Sequence, residues 1–468
     1  MKYFTIYSIL VGSVCLSVGC KDFSECEADL DCKQWEESAG QRLFCSDNMC
    51  VVGTPRSKLC QEVFPEHPPD NAIPVGTLVN TTTGNDLVRL HSVKLAIEEM
   101  NRGMVTAGKP PMALHVCETG ATTADMLKSY QVLVHDRGAV TVLGPSGSGN
   151  VTLLSAEVMN LKVPIMSWSA SARAIGDLPA QGLFFRTVPS DILQGQVLAR
   201  LIPAQATSVG MIVVDDPYGQ GMLQSVLGAK PGLIPKPSLT YKEGVGTEQA
   251  AAEKTMNDAV SAIKGAAAPS VLIAVTNLFS DKFLAGMDGF ASSGTTPMQI
   301  LMGDAGKNGK VLDLLGTTTN MNANLGRVKG TAPMVDSAGA AYSTFVSKFT
   351  QRWQGASNPT NSVYSAYAYD AAYAVGIAIC AAGTVTPQRV SEYLLHINNF
   401  QTPQPERLQI GEANFLNSCN RTADKSGLAI QGTTGVVSFT SHGDREQGLY
   451  ETWWIDTGTK SFKSQPAQ

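Results

Sequence analysis

The chain has 468 residues, 43% of them hydrophobic and 16% charged, with a formal net charge of -5. That length and apolar content can bury a large core, and more than one lobe is expected. The charge balance carries no basic footprint, which argues against nucleic acid as a partner. The six histidines, at 67, 91, 115, 135, 396 and 442, show no HExxH or other metal-ligand spacing, so neither a metal nor a cofactor is expected.

Residues 1–19 read as a secretory signal: Lys2, an apolar stretch from Tyr3 to Val18, then Gly19 before Cys20. A membrane span needs about 20 apolar residues and a chain continuing on the far side. Ending at Gly-Cys, the segment resembles a bacterial lipoprotein signal, in which Cys20 takes lipid and becomes the first mature residue. Ser17 stands where Leu or Val is usual, and an ordinary cleaved signal that leaves Cys20 as a thiol is the alternative. The lipoprotein reading places the protein in a bacterial cell envelope, facing the periplasm or the exterior, with membrane contact through the N-terminal lipid only.

Of the ten cysteines, removing Cys15 with the signal leaves nine, and lipidating Cys20 leaves an even eight. Cys26, Cys32, Cys45 and Cys50 crowd a polar segment that cannot bury a core of its own, so two disulfides are expected to staple it. Zinc is the competing reading, but the spacing is not paired CxxC and no His is near. Cys60, Cys117, Cys380 and Cys419 are dispersed, and Cys380 with Cys419 is the preferred pair among the three connectivities that four cysteines allow.

Residues 20–71 read as a Cys-rich tether and linker, ending in a stretch with prolines at 55, 65, 68 and 69. From Ile73 the pattern changes to short apolar runs at 73–79, 112–118, 139–144, 163–169, 208–214, 270–275 and 299–303. Helical periods lie between them, for example at 87–100, 123–135, 151–161 and 280–290. Strands alternating with helices imply βαβ units and parallel sheets, and this many strands divide better between two sheets than into one. The last part, 433–456, alternates like antiparallel strands around His442-Gly443-Asp444. The expected division is lobe 1 over 72–190, lobe 2 over 191–333, a return to lobe 1 over 334–432, and a C-terminal hairpin, 433–468, that rejoins lobe 2.

Open parallel sheets bind ligands where strands lead into helices. Two such loops are rich in small and hydroxyl residues, GPSGSGN (144–150) and SWSASAR (167–173). Ser148, Ser169 and Ser171 could hold a carboxylate between them, helped by the free N–H groups of a helix start; equally, they could only cap helices.

From about 73 to 456 the chain resembles the leucine/isoleucine/valine-binding family of type I periplasmic solute-binding proteins, the substrate-capturing subunits of ABC transporters. The resemblance rests on the order and spacing of AIEEMNRG (96–103), HDRGAVTVLGPSGSGNV (135–151), VPIMSWSASA (163–172), FFRTVPSDILQG (184–195), DDPYGQG (215–221), MGDAG (302–306), SAYAYDAAYAVGIAI (365–379) and TGVVSFTSHGDR (434–445). It implies an α/β fold of two Rossmann-like lobes joined by three crossover strands, which closes like a flytrap on a ligand and performs no chemistry on it. By the same resemblance Ser148 and Ser171 hold the ligand carboxylate and the Ser169 carbonyl meets the ammonium group, with Ala170 between them in the wall. Tyr218 closes over the ligand from lobe 2, Phe279, rather than Leu278, supplies a second aromatic, and Asp304 pairs with the ammonium group.

Departures from the family pattern leave the ligand open to an amino acid or an analogue. The loop 80–86 is shorter than usual and has no aromatic, so leucine specificity is not inherited. Trp168 replaces a small residue or proline beside the pocket and offers a stacking face. Arg186, Asp191 and Gln194 read as crossover scaffolding. An ABC permease is the expected partner, and a sensor partner is the alternative. A serine hydrolase is disfavoured because the loop at Ser148 lacks the G-x-S-x-G elbow.

Overall fold

The computed structural model describes residues 32, 43–46, 49–52, 59–179, 182–206, 208–244, 248–265, 269–288, 298–356, 358–398, 407–424 and 429–467. The chain falls into two units, 1–56 and 57–468. In the first, β1 (Leu43–Ser46) and β2 (Met49–Val52) form an antiparallel pair, and Cys32 is bonded to Cys50. Cys20 and Cys26, and the side chain of Cys45, lie outside the described residues.

The second unit holds two large sheets and a small third one. The first contains β3 (Glu62–Phe64), β4 (Ile73–Val79), β5 (Met112–Glu118), β6 (Val142–Leu143), β7 (Ile165–Ser167) and β8 (Phe184–Arg186) in the order β3-β5-β4-β6-β7-β8. Every pairing is parallel except β3 with β5. β3 falls inside the stretch expected to be linker, because the Cys60–Cys117 disulfide fixes the chain beside β5 just before it.

The second sheet contains β9 (Val209–Val214), β10 (Ser238–Tyr241), β11 (Val271–Val275), β12 (Gln299–Met302) and β13 (Val328–Pro333). Every residue of β9 and β11 is buried. Helices cover both faces of a parallel sheet, so its central strands are apolar without alternation. A small third sheet is built from β14 (Arg407–Gln409), β15 (Ala429–Gly432) and β16 (Gly435–Val437). The chain then returns to the second sheet, where β17 (Tyr450–Asp456) pairs antiparallel with β13, and β18 (Ser461–Pro466) with β17.

The strands expected on either side of His442-Gly443-Asp444 do not pair with each other, since β16 pairs with β15, and β17 with β13 and β18. The turn is closed by one antiparallel bridge, Phe439 with Arg445. It docks on β8 instead: Arg186 N–H donates to the Gly443 carbonyl at 3.1 Å, and the Arg186 guanidinium pairs with Asp444 at 2.6 Å.

The core of lobe 1 is organised by the helix Ser365–Ala381, all of whose residues are buried. A helix apolar on nearly every side suits such enclosure, and its one carboxylate, Asp370, accepts from Thr433 and Thr434. It packs on the helix Gly84–Thr106 and is bonded through Cys380 to Cys419 of the helix Phe415–Ala423.

Where the chain passes between lobes, buried polar groups lace the crossings together. Arg445, 6% exposed, donates to the carbonyls of Thr187, Thr434 and Val436. Tyr450 donates to the carbonyls of Pro189 and Ser190, and Met334 N–H to that of Leu449.

Candidate functional site

The two loops singled out by their composition lie side by side at the C-terminal ends of β6 and β7. Gly147 precedes the helix Ser148–Leu161 with φ 86, a left-handed conformation that favours glycine, and no side chain caps this helix. Neighbouring helices are capped by Thr83, Thr122 and Asp216. The uncapped start leaves N–H groups and the positive end of the helix dipole for a ligand.

Around it the three serines converge. Ser169 Oγ accepts the Gly147 N–H at 3.0 Å, and Ser148 Oγ accepts the Ala172 N–H at 3.0 Å. A hydroxyl that has accepted still has its proton to donate. Ser171 is 1% exposed, and among the described residues its hydroxyl has no partner. A buried polar atom left unpaired costs about 1–3 kcal/mol, which a ligand group bonded to it would recover.

The residues set aside as scaffolding fix this loop. Arg186 donates to the carbonyls of Ala170 at 3.1 Å and Ala172 at 2.8 Å. Asp191 takes the Arg173 N–H on its carboxylate at 3.2 Å, and its own N–H goes to the Ser171 carbonyl at 2.9 Å. Burial is the main cause that pushes Asp191 up to about 7, partly offset by Arg186. Trp168 is fully buried in the lobe 1 core beneath the loop, where its indole N–H donates to Ser146 Oγ at 2.8 Å.

On the facing lobe, Asp304 follows β12 and is 4% exposed. Its carboxylate accepts from Tyr218 Oη at 2.6 Å and Gln194 Nε2 at 2.8 Å, and from the Tyr364 hydroxyl. Burial first, then the Asp304 charge, pushes both phenols well above their ordinary range, so both remain donors. Tyr364 stands at the start of the lobe 1 helix Ser365–Ala381, with the Arg89 guanidinium 5.1 Å from its ring centre. Arg89 in turn reaches Asp86 at 2.6 Å and Ser146 at 3.1 Å. Phe279 sits apart from this network, at the start of the helix Ser280–Gly286, with Lys282 Nζ 4.9 Å from its ring centre.

The two walls nearly touch. A Cβ at Gly147 would lie 3.7 Å from Asn277 Nδ2, and one at Gly149 would lie 3.6 Å from Asp216 Oδ2. Ser148, Ser169, Ala170 and Ser171 therefore share one wall, while Tyr218 and Asp304 belong to the other. Tyr364 and Arg89 escape a sequence reading, which places Gln194 only in the crossover scaffolding and Ser146 only within a hydroxyl-rich loop. The hydroxyl-rich loop 144–150 pointed to Ser146, but nothing local marks Tyr364 or Arg89 as neighbours of Asp304.

A two-lobed α/β body in which two small-residue loops of one lobe face Tyr218 and Asp304 of the other defines a binding protein of the flytrap class. Residues 75–424 match the family described as periplasmic binding protein, and the chain belongs to that family. Its fold is similar to that of LivJ, the branched-chain amino acid transporter substrate-binding protein of Streptococcus pneumoniae, solved with isoleucine. The TM-score is 0.61 at 17% identity, over 84% of this chain and 99% of that one. It is likewise similar to the leucine-binding protein LivK of Thermotoga maritima, with a TM-score of 0.60 at 13% identity, over 84% of this chain and 98% of that one.

Two curated proteins also match. A G-protein coupled receptor family C group 6 member A of Carassius auratus is 31% identical over 87 residues, 18% of this chain. An uncharacterized protein of Methanocaldococcus jannaschii is 30% identical over 171 residues, 33% of this chain. The chain spans 10% and 39% of the length of these two relatives.

Proposed function

We propose that the protein captures an amino acid or a close analogue between its lobes and delivers it to an ABC permease. The ligand carboxylate lies on Ser148, Ser171 and the uncapped helix start, and its ammonium group meets the Ser169 carbonyl and Asp304. Tyr218 and Phe279 close over it from lobe 2, and Trp168 backs the wall. The observation that carries this reading is the buried Ser171 hydroxyl, without a partner beside an uncapped helix. The names of LivJ and LivK support a branched-chain amino acid as the ligand. The partial match to a family C receptor favours a second reading, in which the same closure reports the ligand to a sensor partner.

The test is a thermal-shift screen against amino acids, followed by calorimetry on the best ligand. Each serine donates a hydrogen bond to a charged group, worth about 1.5–3 kcal/mol, or roughly ten- to a hundredfold in affinity. Ser171→Ala should weaken binding by that order with the melting temperature kept, whereas Ser148→Ala should weaken binding and also lower the melting temperature, because it leaves the buried Ala172 N–H unpaired. If both bind like wild type, the site is misplaced.

The lipid anchor on Cys20 belongs to the same reading. Among the described residues no helix is long and apolar enough to cross a membrane. Cys20→Ser should release the protein from membranes while ligand affinity stays as it was. A variant that stays membrane-bound through a carbonate wash would rule the anchor out.

A further inference from the structure

A second concave feature lies outside the cleft, along the seam where the helices Asp191–Arg200 and Pro217–Ala229 run side by side. Gly195 packs so closely on the second helix that a Cβ there would lie 2.3 Å from the Ser225 side chain. At Gly221 a Cβ would lie 2.7 Å from Asp191 Oδ2. These contacts put 191 beside 221 and 195 beside 225, so the two helices are parallel. Small residues along the seam leave a groove of about 440 Å³, within the range of about 300–1,000 Å³ usual for ligand sites.

Arg173, Arg200 and Lys230 line this groove with Gln196, Gln224 and Ser225, and no Asp or Glu is among the lining residues. Arg200 and Lys230 stand at the C-terminal ends of their helices, where cations offset helix dipoles. Arg173 also pairs with Asp177 at 3.6 Å, but both groups are largely exposed, and such a pair is weak. Asp191 lies beneath the groove, wholly buried. From Ile192 to Arg200 the lining spans nine residues, a rise of about 12 Å along the helix.

We infer that this groove binds an elongated oxyanion of the polyphosphate class, and that its occupancy favours lobe closure. Length follows from the cations standing at opposite ends of the seam. Polyphosphate chemistry follows from two arginines, whose planar forks match phosphate oxygens, together with amide and hydroxyl donors between them. Coupling follows from ownership: Arg173 belongs to the short helix Arg173–Gly176 between β7 and β8 of lobe 1, whereas the other lining residues sit on helices packed against lobe 2. A ligand held from both sides binds the closed arrangement better and shifts the equilibrium toward it. The inference stands apart from the identity of the cleft ligand.

The experiment is calorimetric titration of the folded chain at low ionic strength with tripolyphosphate and with inorganic phosphate. Tripolyphosphate should bind at least tenfold more tightly than phosphate and weaken as salt is added. Arg200→Ala with Lys230→Ala should lower its affinity at least tenfold. Because that pair also removes the dipole partners, Gln224→Glu serves as the second variant; it leaves both helix ends intact and should give a loss of the same order. Tripolyphosphate should also reduce the radius of gyration of wild type, and Arg173→Ala should abolish that contraction. No binding, equal affinity for the two anions, or full affinity in Gln224→Glu would overturn the site. An unchanged radius at saturation would overturn the coupling.

Discussion

Asp304→Ala should lower the unfolding free energy by about 3–5 kcal/mol, because three buried donors lose a charged acceptor together. Tyr218, Tyr364 and Gln194 all aim at this one carboxylate. A cavity that leaves them unpaired costs more than any one of the bonds contributes. The effect also has a direction. Asp304 lies on the lobe 2 side and Tyr364 at the head of a lobe 1 helix, so their hydrogen bond joins the two walls. The variant should therefore favour the open form, with a larger radius of gyration in scattering and weaker ligand binding. Tyr364→Phe removes only one donor and should cost about 1.5–3 kcal/mol. Urea unfolding of Asp304→Ala at the wild-type midpoint would show that the network does not hold the lobes.

Gly443→Ala is the second large effect, expected at about 3 kcal/mol. At φ 87 an alanine is placed in the left-handed region, at a cost of about 1–2 kcal/mol. Its Cβ would also lie 2.0 Å from the Phe184 carbonyl oxygen, and backbone cannot yield there without cost, about 1–3 kcal/mol more. The displaced turn carries Asp444, the partner of Arg186, and Arg186 holds the carbonyls of Ala170 and Ala172. Ligand affinity should fall along with stability. Circular dichroism melting with calorimetry on the same sample checks both, and wild-type behaviour in the two assays would refute the argument.

Much of the architecture was legible because buried parallel strands write themselves as apolar runs. The reading at 270–275 corresponds to β11 (Val271–Val275), and that at 112–118 to β5. The serine wall was legible for a related reason: strand, small-residue loop and helix follow each other in sequence, so Ser148, Ser169 and Ser171 were adjacent in the argument before they were adjacent in space. The turn at 442–444 was recognised but given the wrong partner. A glycine with positive φ looks the same in a hairpin as in a loop docked on a distant strand, and only Phe184 and Arg186 decide between them.

The sequence by itself determined the class of fold, the two lobes and one wall of the cleft, since each depends on periodicity or on residues within one βα unit. Tertiary structure alone decided what surrounds Asp304. Gln194 is 110 residues away from it and Tyr364 is 60 residues away. They meet because two crossings and one buried helix converge at the hinge, and no local pattern encodes that convergence. The groove between the helices Asp191–Arg200 and Pro217–Ala229 has the same origin. Glycines at 195 and 221 read as ordinary breaks in a helical pattern until the partner helix shows that their missing side chains set its distance.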